Sequence, residues 1–172
     1  MGALLLLPFF LLRFGLLAYL DRAAVGRAAH FAPMWGGERT AHWAYQLSNI
    51  AILVRILFAR VRTAPPLLFG GGLVLYGAGL VLLALSVAAF ASPAERGVNR
   101  SGVYRLSRNP MYAAYFLYFL GCALLAQSPL LAALTLVFQF SAHWIILAEE
   151  RWCIQQFGDT YVQYMKTVRR YL

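Results

Sequence analysis

The stretch LLFGGGLVLYGAGLVLLALSVAAFA, residues 67–91, decides the fold of this chain. It contains no charged residue. It is also longer than the about 20 apolar residues that an α-helix needs to cross the hydrocarbon core of a bilayer. A helix that is apolar on every side has no face to present to water. The stretch therefore predicts a transmembrane helix.

Four further apolar runs lie on either side of this stretch, at residues 3–20, 41–58, 110–127 and 129–148. Two of them carry polar side chains, which predict helix faces turned towards other helices rather than lipid. Arg13 interrupts the first run, and the second contains Gln46, Ser48, Asn49 and Arg55. The first run lacks a positive segment before it, which predicts a retained helix rather than a cleaved signal peptide.

Together the runs predict an all-α integral membrane bundle of about five transmembrane helices, forming one domain over residues 1–172. Pro110 is expected to begin the fourth helix, where its missing N–H costs nothing. Residues 149–172 are too polar to span and predict an amphipathic segment on the membrane surface. Composition agrees, because 62% of residues are hydrophobic and 12% are charged, against about 25% charged residues in a soluble domain.

The net charge of +9 reflects basic residues placed between the apolar runs. This placement favours membrane orientation and contact with anionic lipids over nucleic-acid binding. With five spans, Arg22, Arg27 and Arg39 share one side with the loop before Pro110 and with the C-terminal segment, whereas Arg60 and Arg62 lie opposite. The positive-inside rule then predicts a multi-pass protein of the cell membrane with a cytoplasmic C-terminus and an external N-terminus.

The loop and helix start GVYRLSRNPMY, residues 102–112, form the first candidate site. Free N–H groups at a helix start favour anionic or hydrogen-bonding ligands. Arg105 and Arg108 add guanidinium groups that can hold a carboxylate or a phosphate. The alternative is that these arginines only anchor the loop on the cytoplasmic side.

Glu149 and Glu150, directly after the last apolar run, form the second candidate site. Two adjacent acids at the expected end of a helix oppose its dipole and each other, so they predict a partner. The partner could be a ligand ammonium, ribose hydroxyls or arginines of the loop. The alternative is a solvated helix end paired with Arg151 or Arg105.

Small and aromatic residues leave two interpretations open. Gly77 and Gly79 either permit close helix packing or clear space for a flat ring. The aromatic residues after Pro110 form either a core or a substrate tunnel: Tyr112, Tyr115, Phe116, Tyr118 and Phe119. The spacing of the three histidines and two cysteines predicts neither a metal site nor a disulfide framework: His30, His42, His143, Cys122 and Cys153.

The C-terminal half, from about residue 70 to 172, resembles the integral membrane methyltransferases. These comprise the isoprenylcysteine carboxyl methyltransferases and the phospholipid N-methyltransferases. The resemblance rests on the order and spacing of several pieces: residues 102–112, the helical hairpin that follows, Glu149-Glu150, FGDTY at 157–161, Tyr164 and VRRYL at 168–172. It implies S-adenosylmethionine as methyl donor, held between the last helices and the C-terminal segment.

The resemblance also implies roles for individual residues. The Gly-x-Gly and Glu-Glu donor-binding motifs of the phospholipid branch look like Gly77-Gly79 and Glu149-Glu150. The full implied donor-binding set is Gly77, Gly79, Tyr104, Arg105, Arg108, Asn109, Pro110, Glu149 and Glu150, and the implied catalytic residues are Glu150, Arg108 and Tyr112. The chain departs from the family at Asn109, which replaces a histidine and cannot become a cation, and at Arg169, which replaces a proline.

The predicted function is methyl transfer to a lipophilic acceptor that enters laterally from the membrane, as in the isoprenylcysteine carboxyl methyltransferases. The alternative acceptor is a phospholipid amino headgroup. A carboxylate or thiolate acceptor needs no strong base, whereas an ammonium must first lose a proton to a group such as Glu150 or Tyr112. Two other classes stay open: a membrane reductase, because sterol reductases share a similar C-terminal architecture, and a non-catalytic scaffold.

Overall fold

A computed structural model describes residues 2–29, 31–92 and 97–171, and within these ranges the chain forms helices and no β-strand. The protein is therefore an all-α membrane bundle, as predicted. His30 and Leu172, which enter the sequence-based predictions, lie outside the described residues, as does Arg96 in the loop before Pro110. Seven helices are described: α1 Ala3–Leu20, α2 Arg22–Ala29, α3 Gly37–Leu57, α4 Pro66–Ala91, α5 Pro110–Ala126, α6 Pro129–Phe157 and α7 Asp159–Thr167.

Three of the described helices are long and apolar enough to cross a membrane, namely α1, α4 and α6. Helix α5 is apolar but has only 17 residues. It therefore measures about 26 Å along its axis, slightly less than a hydrocarbon core of about 30 Å. Helix α3 has 21 residues but is more polar. The spans at 3–20, 67–91 and 129–148 thus correspond to strongly apolar helices, and the total of about five spans stays a prediction.

Prolines set the starts of the last three long helices. Pro66, Pro110 and Pro129 each stand in the first turn of their helix. The proline ring has the backbone angle that a helix requires, and its missing N–H would have no partner at that position anyway. The predicted start of the fourth helix at Pro110 is confirmed.

The structure contains two helical segments that the sequence did not predict. Helix α2 lies between the first two apolar runs. The Asp21 carboxylate stabilises its start by accepting a hydrogen bond from the Ala23 amide (2.9 Å) and by forming an ion pair with Arg27 (2.8 Å). Helix α6 continues past residue 148 to Phe157 and ends at Gly158, whose φ is +52°. Its polar extension packs against the C-terminal segment through Cys153 and Phe157.

This extension corrects the interpretation of the two acids. Glu149 and Glu150 lie inside α6, about two turns before its end, rather than at the C-terminus of a helix. The macrodipole acts within the last turn, so the expected conflict with it was wrong. The pair still requires partners, because both acids follow an apolar helix segment and stand beside each other.

Close packing of α4 on α5 positions the start of α5. A Cβ atom added at Gly79 would lie 2.5 Å from the Tyr118 amide nitrogen, and one added at Gly72 would lie 3.0 Å from the Leu125 amide nitrogen. The absence of side chains lets the two backbones approach each other. The two helices run antiparallel, so the C-terminal part of α4 lies beside the first turns of α5.

Two ends of the bundle differ in charge. We call the end with the start of α5 and the C-terminal residues the tail end, and the end with the α5–α6 turn the turn end. The described acids all lie at the tail end: Asp21, Glu38, Glu149, Glu150 and Asp159. Arg151 forms an ion pair there with Glu38 (2.8 Å), which connects α6 to α3. Arg60 and Arg62 lie at the turn end together with Arg55, opposite most of the other described basic residues.

Arg13 lies in a π-helical part of α1, Leu11–Leu16. Its guanidinium donates a hydrogen bond to the Ala28 carbonyl of α2 (3.0 Å). The side chain therefore contacts another helix instead of lipid, as the sequence predicted for a charge inside an apolar run.

Candidate functional site

Glu150 lies between two arginines at the tail end. Its carboxylate accepts hydrogen bonds from Arg108 (Nη2 to Oε1, 2.7 Å; Nε to Oε1, 3.1 Å) and from Arg170 (Nη2 to Oε2, 2.8 Å; Nε to Oε2, 3.0 Å). The Glu150 side chain is 4% exposed and that of Arg108 is 7% exposed. Such charge-assisted pairs are among the strong hydrogen bonds in proteins. Of the partners considered for Glu150, the loop arginine is the one observed, whereas Arg170 was not foreseen.

Arg108 also holds the C-terminal segment. Its Nη1 donates to the Met165 carbonyl (2.9 Å) and to the Val168 carbonyl (2.9 Å). Nε, both Nη1 hydrogens and one Nη2 hydrogen are therefore engaged, out of the five N–H groups of a guanidinium. Arg108 consequently connects the loop, α6 and the chain after α7, and has little capacity left for a ligand carboxylate.

Residues 107–109 pair with residues 168–170 in a short extended contact. The Arg108 amide donates to the Arg169 carbonyl (2.9 Å), and the Arg170 carbonyl accepts from Ser107 Oγ (3.2 Å) and Asn109 Nδ2 (3.1 Å). Asn109 precedes α5 without capping it through its side chain. Its amide thus fastens the C-terminal segment, which is held against the loop at this position.

Glu149 has a different environment from its neighbour. Tyr112 Oη donates a hydrogen bond to Glu149 Oε1 (2.9 Å), and the carboxylate is partly buried. Successive residues of a helix point about 100° apart, so Glu150 meets the arginines while Glu149 meets α5. Within residues 2–29, 31–92 and 97–171, Glu149 forms no ion pair.

Aromatic rings line the side of the bundle that Glu149 faces. The Tyr112 ring lies 6.3 Å from the Tyr45 ring and 6.4 Å from the Tyr115 ring, measured between centroids. Tyr45 and Tyr115 also lie within electrostatic reach of both Glu149 and Arg13. Arg13 and Tyr45 belong to the first 65 residues, where no motif was recognised. The only indication of a polar helix face near them was the presence of polar residues inside the first two apolar runs, including Arg13 itself.

Tyr104 and Arg105 lie in a short 3-10 helix, Gly102–Arg105, beside the start of α5. Tyr164 Oη donates to the Tyr104 carbonyl (2.6 Å), which fixes this turn against α7. Burial raises the pKa of the Tyr104 phenol far above its usual value, so the phenol stays neutral. Arg105 is exposed, and it forms no ion pair with any acid in the described ranges.

The structure does not place the two glycines of α4 against the acids. Gly79 contacts the backbone of Tyr118, which lies six residues beyond Tyr112 on α5. Six helical residues correspond to about 9 Å along the axis. Gly77 is only partly buried, and a Cβ there would meet nothing within 4 Å. Gly79 therefore serves helix packing, and donor binding by either glycine stays a prediction.

A pair of alanine variants tests the packing role of Gly79. Gly79→Ala should lower the free energy of unfolding by about 1–3 kcal/mol, the usual cost of overpacking, because the added methyl overlaps a backbone that cannot move alone. Gly77→Ala is the matched control and should be neutral in stability. Unfolding in detergent by a denaturing surfactant measures both. Equal stability of the two variants would contradict the packing role of Gly79.

Comparison with known proteins adds one finding. The family model for phospholipid methyltransferases matches residues 67–160. This match covers more than half of the chain. It includes helices α4, α5 and α6 with Glu149 and Glu150, and the loop that carries Arg105 and Arg108. It ends before Arg170 and leaves out Arg13 and Tyr45. No curated protein matches the chain, and no solved structure does.

Proposed function

Because the chain belongs to the phospholipid methyltransferase family of membrane methyltransferases, we propose that it transfers the methyl group of S-adenosylmethionine to a lipophilic acceptor. When bound, the donor supplies an electrophilic methyl group on a positively charged sulfur. We place first an acceptor of the isoprenylcysteine carboxyl type, which would enter from the bilayer between helices.

The unequal environments of Glu149 and Glu150 support this proposal most directly. Two guanidinium groups balance the charge of Glu150, whereas Glu149 receives one phenolic hydroxyl and no ion pair from the described residues. A partly buried carboxylate without a cation is costly, and a cationic ligand group would lower that cost. The donor carries an ammonium, so the residues present fit it. Glu149 would bind this ammonium, and Glu150 would act as a positioning residue.

The donor's other groups find suitable partners at the tail end. Arg105 is exposed and lacks an ion pair in the described ranges, so it is better suited than Arg108 to hold the donor carboxylate. Tyr104, Asn109 and Pro110 would form the wall of the site on that side. The ring of Tyr112, which is only partly buried and lies beside Glu149, would attract a sulfonium by a cation–π interaction. The chain's main contribution would be to align acceptor and methyl group.

An amino headgroup is the second acceptor, and the Tyr112–Glu149 hydrogen bond favours it. An ammonium acceptor must lose a proton before it can attack. Glu149 could receive that proton, with Tyr112 orienting it, whereas Glu150 is held by two arginines. Under this alternative Tyr112 and Glu149 carry the catalytic role, while Arg108 and Glu150 maintain the geometry.

Donor and acceptor assays test the function. Calorimetry with S-adenosylhomocysteine and with NADPH should detect binding of the first compound only. Transfer of a labelled methyl group should then be measured to a prenylated cysteine derivative and to phosphatidylethanolamine, and the faster acceptor identifies the branch. Binding of NADPH alone would favour a reductase. Binding of neither compound would favour a scaffold and contradict the proposal.

We further propose that the protein is a multi-pass protein of the cell membrane with the tail end in the cytoplasm. Most basic residues lie at that end, and the positive-inside rule places them inside. A soluble methyl donor would then reach the site from the cytoplasm. A tag after residue 172 that is accessible only from outside would contradict this orientation.

A further inference from the structure

A pocket with a volume of about 230 Å³ opens at the turn end, far from the acids. Its lining includes Arg55, Arg60 and Arg62 together with Phe58 and Ser128. We call it the turn-end pocket. Ligand sites for drug-sized molecules measure about 300–1,000 Å³. The turn-end pocket is therefore suited to a small headgroup rather than a nucleoside.

No described acid balances the charge of the turn-end pocket. All the acids in the described ranges lie at the tail end, and the four ion pairs found there involve none of these three arginines. The three side chains are exposed. The N-terminus of α6, which Ser128 Oγ caps by accepting from the Leu131 amide, adds the partial positive charge of the helix dipole. An anion is thus the complementary ligand.

Stabilisation of a helix end explains the position of only one of the three arginines in the turn-end pocket. Arg55 lies in the last turn of α3, where a cation interacts favourably with the helix dipole. Arg60 and Arg62 follow the helix, and the Arg62 amide donates to the Leu125 carbonyl at the end of α5 (2.9 Å). That hydrogen bond holds Arg62 at the pocket. Three arginines on the side predicted to be external also run against the positive-inside rule, which suggests a binding role.

Phe58 lines the pocket, Leu57 precedes it in the chain, and Leu67 lies in the first turn of α4 at the same end of the bundle. These exposed apolar side chains indicate the kind of anion. Phe58 is 73% exposed, Leu57 is 46% exposed and Leu67 is 84% exposed. A free phosphate would gain nothing from them, whereas acyl chains could lie along them while the headgroup meets the arginines. We propose that the turn-end pocket binds the phosphate of an anionic phospholipid in the membrane leaflet opposite the tail end.

A neutralised variant tests the proposal. The triple variant Arg55→Gln, Arg60→Gln, Arg62→Gln is compared with a control, Arg22→Gln, Arg39→Gln, Lys166→Gln, which loses the same charge at the tail end. Short-chain phosphatidylglycerol and phosphatidylcholine are titrated into each protein in a non-ionic detergent, and bound lipid is counted by native mass spectrometry. Each basic residue near an anionic lipid contributes about fivefold to affinity. The triple variant should therefore bind phosphatidylglycerol at least about tenfold more weakly, and the control should not.

Several results would overturn the proposal: equal binding of the two lipids by the native protein, an equal loss in the control, or displacement of the lipid by inorganic phosphate at the lipid's own concentration. If the triple variant does not fold, Arg60→Gln and Arg62→Gln are measured singly, and native affinity in both would equally refute the site. S-adenosylhomocysteine binding is recorded in parallel. It should persist in the triple variant, so failure of the lipid site is distinguishable from failure of the methyltransferase function.

Discussion

Arg108→Ala should lower the free energy of unfolding by about 3–5 kcal/mol, the cost of breaking a buried ion pair from one side. The substitution removes both bonds from Arg108 to Glu150 and leaves the Met165 and Val168 carbonyls without this donor. Arg170 would remain as the partner of Glu150. A loss of this size is a large part of the about 5–15 kcal/mol that stabilises a folded domain. Denaturing-surfactant titration in detergent measures it.

Two further variants define the origin of this loss. Arg105→Ala removes an exposed arginine three residues earlier and should change stability by less than about 0.5 kcal/mol. Arg108→Lys preserves the charge but cannot reach Glu150 and two carbonyls together, because an ammonium lacks the planar fork of a guanidinium. It should recover only part of the lost stability. Native stability in Arg108→Ala would refute the role of Arg108 as the connection between loop and C-terminal segment.

Glu149→Gln should weaken S-adenosylhomocysteine binding by about 1–3 kcal/mol, the range for a lost charged hydrogen bond, which corresponds to about 5- to 150-fold in dissociation constant. Gln has the same shape and can still accept the hydrogen bond from Tyr112. The variant should therefore fold with nearly native stability. Calorimetry gives the affinity, and methyl transfer should fall at least in proportion.

The matched comparison is Glu150→Gln, one residue further along the same helix. It leaves Arg108 and Arg170 without a carboxylate, so its main effect should be on stability rather than on donor contact. If both variants lose donor affinity equally and keep native stability, the division of roles between the two acids is wrong. If Glu149→Gln binds the donor as tightly as the native protein, the ammonium partner must be sought elsewhere.

The sequence alone predicted that this protein lies in a membrane, and it also predicted most of its helices. Runs of apolar residues longer than a bilayer requires can only be helices in lipid, because each backbone polar group must find its partner within the segment. Pro110 marked a helix start for an equally local reason. The family was also predictable, since the order of the arginine loop, the hairpin and the two acids is a property of the chain.

Local composition failed where tertiary contacts extend or begin a helix. Residues 149–172 were predicted to be a surface segment, yet residues up to Phe157 continue α6 because Cys153 and Phe157 pack against α7 and the loop. No helix was predicted for Arg22 to Ala29, which lie between two apolar runs, yet the Asp21 carboxylate stabilises the first turn of a helix there. In both cases a few side-chain contacts outweigh a weak helix preference.

Glu149 and Glu150 show most clearly what only the tertiary structure decided. As neighbours in sequence they are chemically identical, and nothing local distinguishes a ligand-binding acid from a positioning acid. A rotation of about 100° about the helix axis turns Glu150 towards Arg108 and Arg170, which are 42 and 20 residues away in the chain, and turns Glu149 towards Tyr112, which is 37 residues away. The same holds for Gly77 and Gly79, of which only the second faces the backbone of α5. Residue type is written in the sequence, whereas the partner of each residue depends on which helix faces meet, and that is set by the packing of the whole bundle.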